Sequence, residues 1–467
     1  MRTIILLSFV ALSISAQEFF LGADLSYVNE MEDCGTIYYD NGEGKPAYDI
    51  FADHGANLVR LRLWHTPSWY DTLNNGARYS DLADVKRSIA KAKAANLQVL
   101  LDFHLSDFWA DPNRQIVPAA WAGVVDDLPI LADSLYHYIH ATLLELHAED
   151  LAPELVQIGN ETNKGILQSA EDDAAGWALD WPRNATLFNR AIAAVRDVGT
   201  MTDWEFKVAV HIAGPAEAEW LLTGFTENDV TDFDIIGLSY YWAWHQPTTI
   251  EQTGEILEQL RVSYPGKEVM IFETGYIWTT DANDSANNII NAVQPGYAPA
   301  SPENQRRWLI DLTREVIDRG GLGVVYWEPA WVSTPCFTPW GQGSHQEHAT
   351  FFDFNNHVLA NGGMAFFSYP YTGISSVASP SAKTNSLFLN YLPSSLTLQL
   401  ELRGDQRVNN GQVRIFNSAG QEILHRKGIA GDTNFWSILL PQWPSGAYWV
   451  ELQSNRKSIG RRAFIIP

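Results

Sequence analysis

Leu155-Val-Gln-Ile-Gly-Asn-Glu161 is a short apolar run that ends in an amide and a carboxylate. A run of that length, rich in aliphatic residues and closed by polar ones, reads as a buried strand. Seven more runs share its character: Phe19–Ser26, Leu58–Trp64, Gln98–His104, Phe206–Ile212, Ile235–Tyr241, Val269–Gly275 and Gly323–Glu328. Between them lie stretches with apolar residues at helical spacing, at Leu82–Ala95, Leu131–Leu146, Ala185–Val198, Ile250–Val262 and Asn304–Arg319. Eight strands alternating with helices predict an α/β fold, a closed (β/α)8 TIM barrel. An open doubly wound sheet is the competitor, and it would want a glycine-rich phosphate turn after the first strand. Gly22-Ala-Asp-Leu-Ser26 is not such a turn.

Polar and aromatic residues gather where these runs end: Asp24, Arg62, Trp64, His104, Asn160, Glu161, His211, Tyr240, Tyr241, Glu273, Trp327 and Glu328. Buried polar groups are costly without partners, so core packing does not explain their accumulation at strand ends. A barrel of this type builds its active site at the C-terminal ends of the strands, so Asp24, Arg60, Arg62, His104, Asn160, His211, Tyr240, Tyr241 and Trp327 are expected to bind the substrate.

Composition narrows the partners. The chain has 467 residues, room for a barrel plus an appendage, and 46% of them are hydrophobic. Its formal charge of −24 argues against nucleic acid and anionic membrane surfaces, which need basic patches. The 18 Trp and 18 Tyr exceed ordinary core needs, and flat rings stack well on sugar faces, although any single ring is more often core. Arg2, the apolar run Ile4–Leu12 and the small residues 13–16 form an export signal at 1–16, too short to span a bilayer. The export route permits a disulfide between the only two cysteines, Cys34 and Cys336, because a barrel brings its first and last strands together. Two unpaired thiols are the alternative.

Two glutamates at strand ends, Glu161 on the fourth and Glu273 on the seventh, suit glycosidic cleavage, which needs one protonated and one ionised carboxyl across the bond. The alternative is a structural carboxylate paired with arginine. Arg60 and Arg62 share parity and point inward, so that one of them can keep Glu273 ionised. A tyrosine of Tyr240-Tyr241 can orient Glu273, Asn160 can bond a sugar 2-hydroxyl, and Trp327 can floor the reacting sugar.

The chain resembles glycoside hydrolase family 53, the arabinogalactan endo-β-1,4-galactanases, within a large clan of retaining barrel hydrolases. The matching stretches are Gly22–Ser26, Asn57–Trp64, His104–Pro112, Val156–Glu161, Asp234–Tyr241, Glu273–Tyr276 and Tyr326–Trp331, in order across residues 19–366. The resemblance implies a secreted, endo-acting enzyme that cuts the β-1,4-galactan side chains of pectin with retention. It matches Glu161 to the acid/base and Glu273 to the nucleophile, and it makes His104, Asp107, Trp109, Trp327 and Trp331 candidates for sugar subsites. Departures occur at Trp64-His65-Thr66-Pro67, at Leu105 and at Trp242-Ala243-Trp244, and they bear on subsites rather than on the glutamates. No cofactor is implied. Relatives hold calcium in the loop after the seventh strand, but the Asp281, Asn283 and Asp284 spacing reads as a solvated acidic loop, so no metal site is assigned.

The catalytic barrel is expected over 17–374, a small-residue linker over 375–383 and a β-sandwich over 384–467. Val413–Gln421, Leu440 and Pro444–Tyr448 resemble a type IX secretion sorting domain, which implies dealings with secretion machinery and a secreted or surface location. A carbohydrate-binding module built on Trp436, Trp443 and Trp449 is the rival reading. A monomer is expected. Two other functions compete: a hydrolase of the same clan acting on another β-glycan, and a glycan-binding protein on an inactive barrel.

Overall fold

The computed structural model describes residues 18–175, 179–372, 376–377, 386–392, 395–403, 411–417, 421–429, 435–454 and 457–466. The expected export signal at 1–16 lies outside them. Of the expected linker, only Ser376 and Val377 are described, and they pair in parallel with Glu18 and Phe19.

Eight parallel strands form the barrel: β1 Glu18–Asp24, β2 Leu58–Leu63, β3 Gln98–Phe103, β4 Leu155–Ile158, β5 Lys207–Ala213, β6 Ile235–Ser239, β7 Glu268–Glu273 and β8 Gly323–Tyr326. Each pairs with the next, and β8 closes on β1 with Ala23 opposite Tyr326. The five expected helices are present as Leu82–Ala94, Leu128–Ala148, Trp181–Thr202, Ile250–Ser263 and Pro302–Asp318. Their starts are written in the sequence. Asp81, Asp127, Asp180, Thr249 and Ser301 each accept a hydrogen bond from a first-turn amide, and proline stands in the first turn of three of these helices. Four shorter helices, Val28–Asp33, Ala47–Asp53, Ala170–Ala175 and Ala218–Glu227, lack a long periodic pattern and were not expected.

The barrel interior changes chemistry along its axis. Phe20, Leu58, Leu100, Leu155, Ala209, Ile235 and Met270 form an apolar plug near the N-terminal ends of the strands. Two residues on, with the same inward parity, stand Arg60, Asp102, Gln157 and His211, all buried. Gly237 completes that layer, because a Cβ there would lie 2.2 Å from the Phe272 ring. The register slips between Leu238 and Ser239, so Ser239 sits opposite Glu273 rather than Phe272 and the Glu273 side chain turns into the barrel mouth.

Cys34, just after the helix Val28–Asp33, is bonded to Cys336 in the loop after β8 across 302 positions of sequence. The terminal domain is all antiparallel: β9 Ser386–Leu392, β10 Thr397–Arg403 and β13 Phe435–Leu439 form one sheet. The other holds β11 Gly411–Asn417, β12 Glu422–Ile429, β14 Gly446–Ser454 and β15 Lys457–Ile466. Leu398, Leu400 and Ile438 from the first sheet share one core with Val413, Ile415, Val450 and Leu452 from the second. Trp436 and Trp449 are buried, so two of the three rings proposed as a sugar platform serve as packing instead.

Candidate active site

Arg60 organises the barrel mouth. Its Nε donates to Gln157 Oε1 at 3.0 Å, and Nη2 donates to Asp102 at 2.8 Å and to Asn160 Oδ1 at 2.7 Å. Nη1 lies 2.8 Å from Asp24 and 2.7 Å from Glu273 Oε1. Each of the guanidinium's five N–H groups thus has an acceptor, which a buried arginine needs. The acceptors are themselves held. Gln157 Nε2 donates to Asp102 at 2.9 Å, Asp24 accepts from the Ser26 hydroxyl at 2.5 Å, and His104 Nδ1 lies 2.7 Å from Asp102.

Glu273 is buried at the end of β7, and the Tyr241 hydroxyl donates to its Oε2 at 3.1 Å. Glu161 faces it from just beyond β4 with φ at 49°, a left-handed conformation sparsely populated by non-glycine residues. Loss of water pushes the Glu161 carboxyl up to about 8, helped next by the Glu273 charge and opposed by a bond from Ser239. Burial also raises Glu273, but only to about 7, because Arg60 and then Tyr241 pull the other way, so Glu273 gives up its proton first.

These two carboxyls line a cleft of about 480 Å³ together with Asn160, Tyr241, Trp109, Trp327 and Trp331. Asn160 gives its carbonyl to Arg60 and one amide hydrogen to Ala110 O at 2.8 Å, which leaves its second amide hydrogen for the cleft. Tyr27 stacks on Trp331 with centroids 3.9 Å apart, and Trp327 meets Trp331 and Trp109 edge-on. Ala110, Asp111, Arg114, Trp244, Asn287, Ile289, Trp340 and His345 complete the lining.

Seven expected binding residues stand elsewhere, each for a physical reason. Asp24, Arg60 and His104 lie beneath the cleft in the charge network. Arg62 has the right parity but pairs with Glu328 at 3.2 Å and packs under the rings of Trp109, Trp64 and Tyr27, so it supports the aromatic wall. His211 is buried, with Nδ1 2.8 Å from Asn160 Oδ1 and Nε2 3.0 Å from the Ser239 hydroxyl. Burial and then Arg60 hold it well below the usual histidine range, hence neutral. Tyr240 points outward, stacks on Trp308 and donates to Thr248 O, because consecutive strand residues face opposite sides. Asp107 gives its oxygens to the amides of Thr66 and Ala119 and braces the loop after β3.

Asp102 and Gln157 were missed by the sequence reading although they share parity with Arg60. Trp340 and His345 lie in a long loop that no periodicity describes. In the loop after β7, Asp284 spends its carboxylate on the amides of Ala286 and Ser344, at 2.8 and 2.7 Å. Among the described residues no group of three or more His, Cys, Asp or Glu is arranged to hold a metal ion.

Comparison with known proteins places this geometry. The profile of glycosyl hydrolase family 53 matches residues 20–365, and that of a secretion system C-terminal sorting domain matches residues 392–466. An arabinogalactan endo-β-1,4-galactanase of Cellvibrio japonicus is 47% identical over 355 residues, covering 76% of this chain and 91% of the relative. An endo-β-1,4-galactanase of Bacillus subtilis is 31% identical, covering 76% and 87%. Among solved structures, the family 53 catalytic domain of Ignisphaera aggregans superposes with a TM-score of 0.67 at 32% identity, covering 76% of this chain and 97% of that one. A fungal β-1,4-galactanase superposes with a TM-score of 0.62 at 27% identity, covering 75% and 98%.

Proposed function

The chain belongs to glycosyl hydrolase family 53, and from that premise we propose that Glu161 is the acid/base and Glu273 the nucleophile of an endo-β-1,4-galactanase. The protein is secreted or held at the cell surface, in keeping with its sorting domain. Its substrate is the β-1,4-galactan of pectic arabinogalactan.

The observation that carries the role assignment is the unequal treatment of two facing carboxyls. Burial raises both, but Arg60 at 2.7 Å and the Tyr241 hydroxyl at 3.1 Å draw Glu273 back toward its ionised form, while the Glu273 charge adds to burial in favouring the protonated form of Glu161. Glu273 Oε attacks the anomeric carbon of the bound galactosyl unit as Glu161 donates its proton to the departing glycosidic oxygen. The C–O bond breaks and a galactosyl ester forms on Glu273. Glu161, now ionised, takes a proton from water, whose oxygen attacks the same carbon from the vacated face. The ester breaks, the stereochemistry is retained, and both glutamates regain their starting states. The free Asn160 N–H bonds the sugar 2-hydroxyl, and Trp109, Trp327 and Trp331 supply apolar faces that hold the chain. No cofactor enters these steps, and the chain acts as a monomer.

The test is reducing-end release from purified β-1,4-galactan by wild type, Glu161→Gln and Glu273→Gln, beside xylan and mannan. Galacto-oligosaccharides from wild type, with a loss of about three orders of magnitude or more in each variant, are expected. Glutamate-dependent cleavage of xylan or mannan in place of galactan would overturn the substrate, and full activity in either variant would overturn its role.

A further inference from the structure

Trp340 lines the cleft with 54% of its surface exposed, and it does so from the tip of a very small hairpin. Phe337–Thr338 pairs with Gly341–Gln342, two residues against two, and Pro339 and Trp340 form the turn. So short a ladder is marginal in water by itself, and the place of the indole is therefore set by what the hairpin is tied to.

Two ties reach it from neighbouring loops. The covalent one joins Cys336 to Cys34, a single point about which the hairpin could still pivot. One residue on, Asn74 of the loop after β2 makes the second. Its Nδ2 donates to Phe337 O at 2.8 Å, and its Oδ1 accepts from Phe337 N at 2.8 Å. The side-chain amide thus bonds both backbone groups of one residue, as an antiparallel strand partner would. Its other amide hydrogen goes to Glu30 Oε1 at 3.2 Å, and the Tyr70 hydroxyl donates to Glu30 Oε2 at 2.8 Å. Glu30 is buried on the helix Val28–Asp33, so the tie is anchored at its far end. All the bonding capacity of the Asn74 amide hydrogens is used in this way.

Aromatic rings close the circuit. Tyr70 stacks on Trp69 with centroids 3.8 Å apart, Trp69 meets Phe108 edge-on at 5.3 Å, and Phe108 meets Trp340 at 5.6 Å. The loop after β2 therefore holds the hairpin backbone through Asn74 and supports the indole through Trp69 and Phe108. Asn74 is not among the residues that line the cleft. We propose that Asn74 is a positioning residue for galactan binding: through the Phe337 backbone it fixes where Trp340 presents its face to the polymer. This inference rests on the galactanase reading.

The test is a double-variant comparison in the full chain on long β-1,4-galactan. Asn74 has φ at 45°, a conformation glycine adopts freely, so Asn74→Gly removes the three hydrogen bonds without straining the loop. It is expected to raise KM about fivefold with kcat within about twofold of wild type, as a loss of uniform binding does. Asn74→Asp, which can still accept from the Phe337 amide, is expected to recover part of that loss. Trp340→Ala should raise KM about tenfold. The variant carrying both Asn74→Gly and Trp340→Ala should be no worse than Trp340→Ala alone, because Asn74 acts only through the indole. Losses that multiply in the double variant, an unchanged KM in Asn74→Gly, or a fall in kcat that tracks a lowered melting temperature would overturn the role. A wild type that cleaves another β-glycan but not galactan would sink the substrate reading instead, and the same comparison on that glycan would decide the role of Asn74.

Discussion

Arg60 Nη1 lies 2.7 Å from Glu273 Oε1, and the same nitrogen lies 2.8 Å from Asp24. One cation therefore faces three buried carboxylates, those of Asp24, Asp102 and Glu273. Arg60→Ala leaves that negative charge unbalanced and should cost about 3–5 kcal/mol of stability in a denaturant titration. Arg60→Lys keeps the charge but loses the planar fork that meets five acceptors. It should fold, lose about a hundredfold in kcat/KM, and show its acidic limb at higher pH than wild type, because a less well held Glu273 protonates sooner. An unmoved acidic limb would mean that Arg60 does not set the Glu273 charge.

With Glu161 as the proposed acid, the basic limb is expected to follow its carboxyl. With its pKa pushed up to about 8, the carboxyl is protonated and able to donate below that pH and spent above it. The kcat/KM on galactan should therefore fall above about pH 8 with the loss of one proton. A substrate with a dinitrophenolate leaving group needs no proton, so Glu161→Gln should still form the glycosyl-enzyme from it, and its burst should lack the basic limb. A basic limb that survives in that variant would assign it to another group.

Tyr241→Phe removes the 3.1 Å hydrogen bond to Glu273 Oε2 and little else, because the ring stays packed between Trp244 and His245. The expected result is a drop in kcat of about ten- to a hundredfold, an acidic limb shifted upward, and a melting temperature near that of wild type. A fall in melting temperature with unchanged kcat would make this tyrosine a packing residue.

Gly237→Ala tests the interior below the site. The added methyl would meet the Phe272 ring at 2.2 Å, in a layer where neither strand has room to move. About 1–3 kcal/mol of stability should be lost, together with activity, since Phe272 precedes Glu273 in β7. Calorimetry with parallel kinetics decides it.

The strands were legible because each is a short apolar run bounded by polar residues, and the long helices because apolar residues recur in them at helical spacing. The two glutamates were legible because strand ends are where a barrel concentrates chemistry. Roles were harder. Parity alone sends Arg60 and Arg62 to the same place, and only packing separates them: Asp24, Asp102 and Glu273 surround one, while aromatic rings and Glu328 surround the other. Tyr240 and Tyr241 are adjacent in sequence and face opposite layers, so naming both was bound to misplace one. Trp340 and His345 reach the cleft from a loop whose path depends on contacts distant in sequence, including the bond of Cys336 to Cys34.

That last bond has a consequence for life outside a cell. It joins a residue before β2 to one after β8, so seven of the eight strands lie within a single covalent ring. A protease that nicks one loop anywhere inside the ring opens it without releasing a fragment. The cut molecule stays one covalent piece, and both glutamates proposed for catalysis, at 161 and 273, lie within that span.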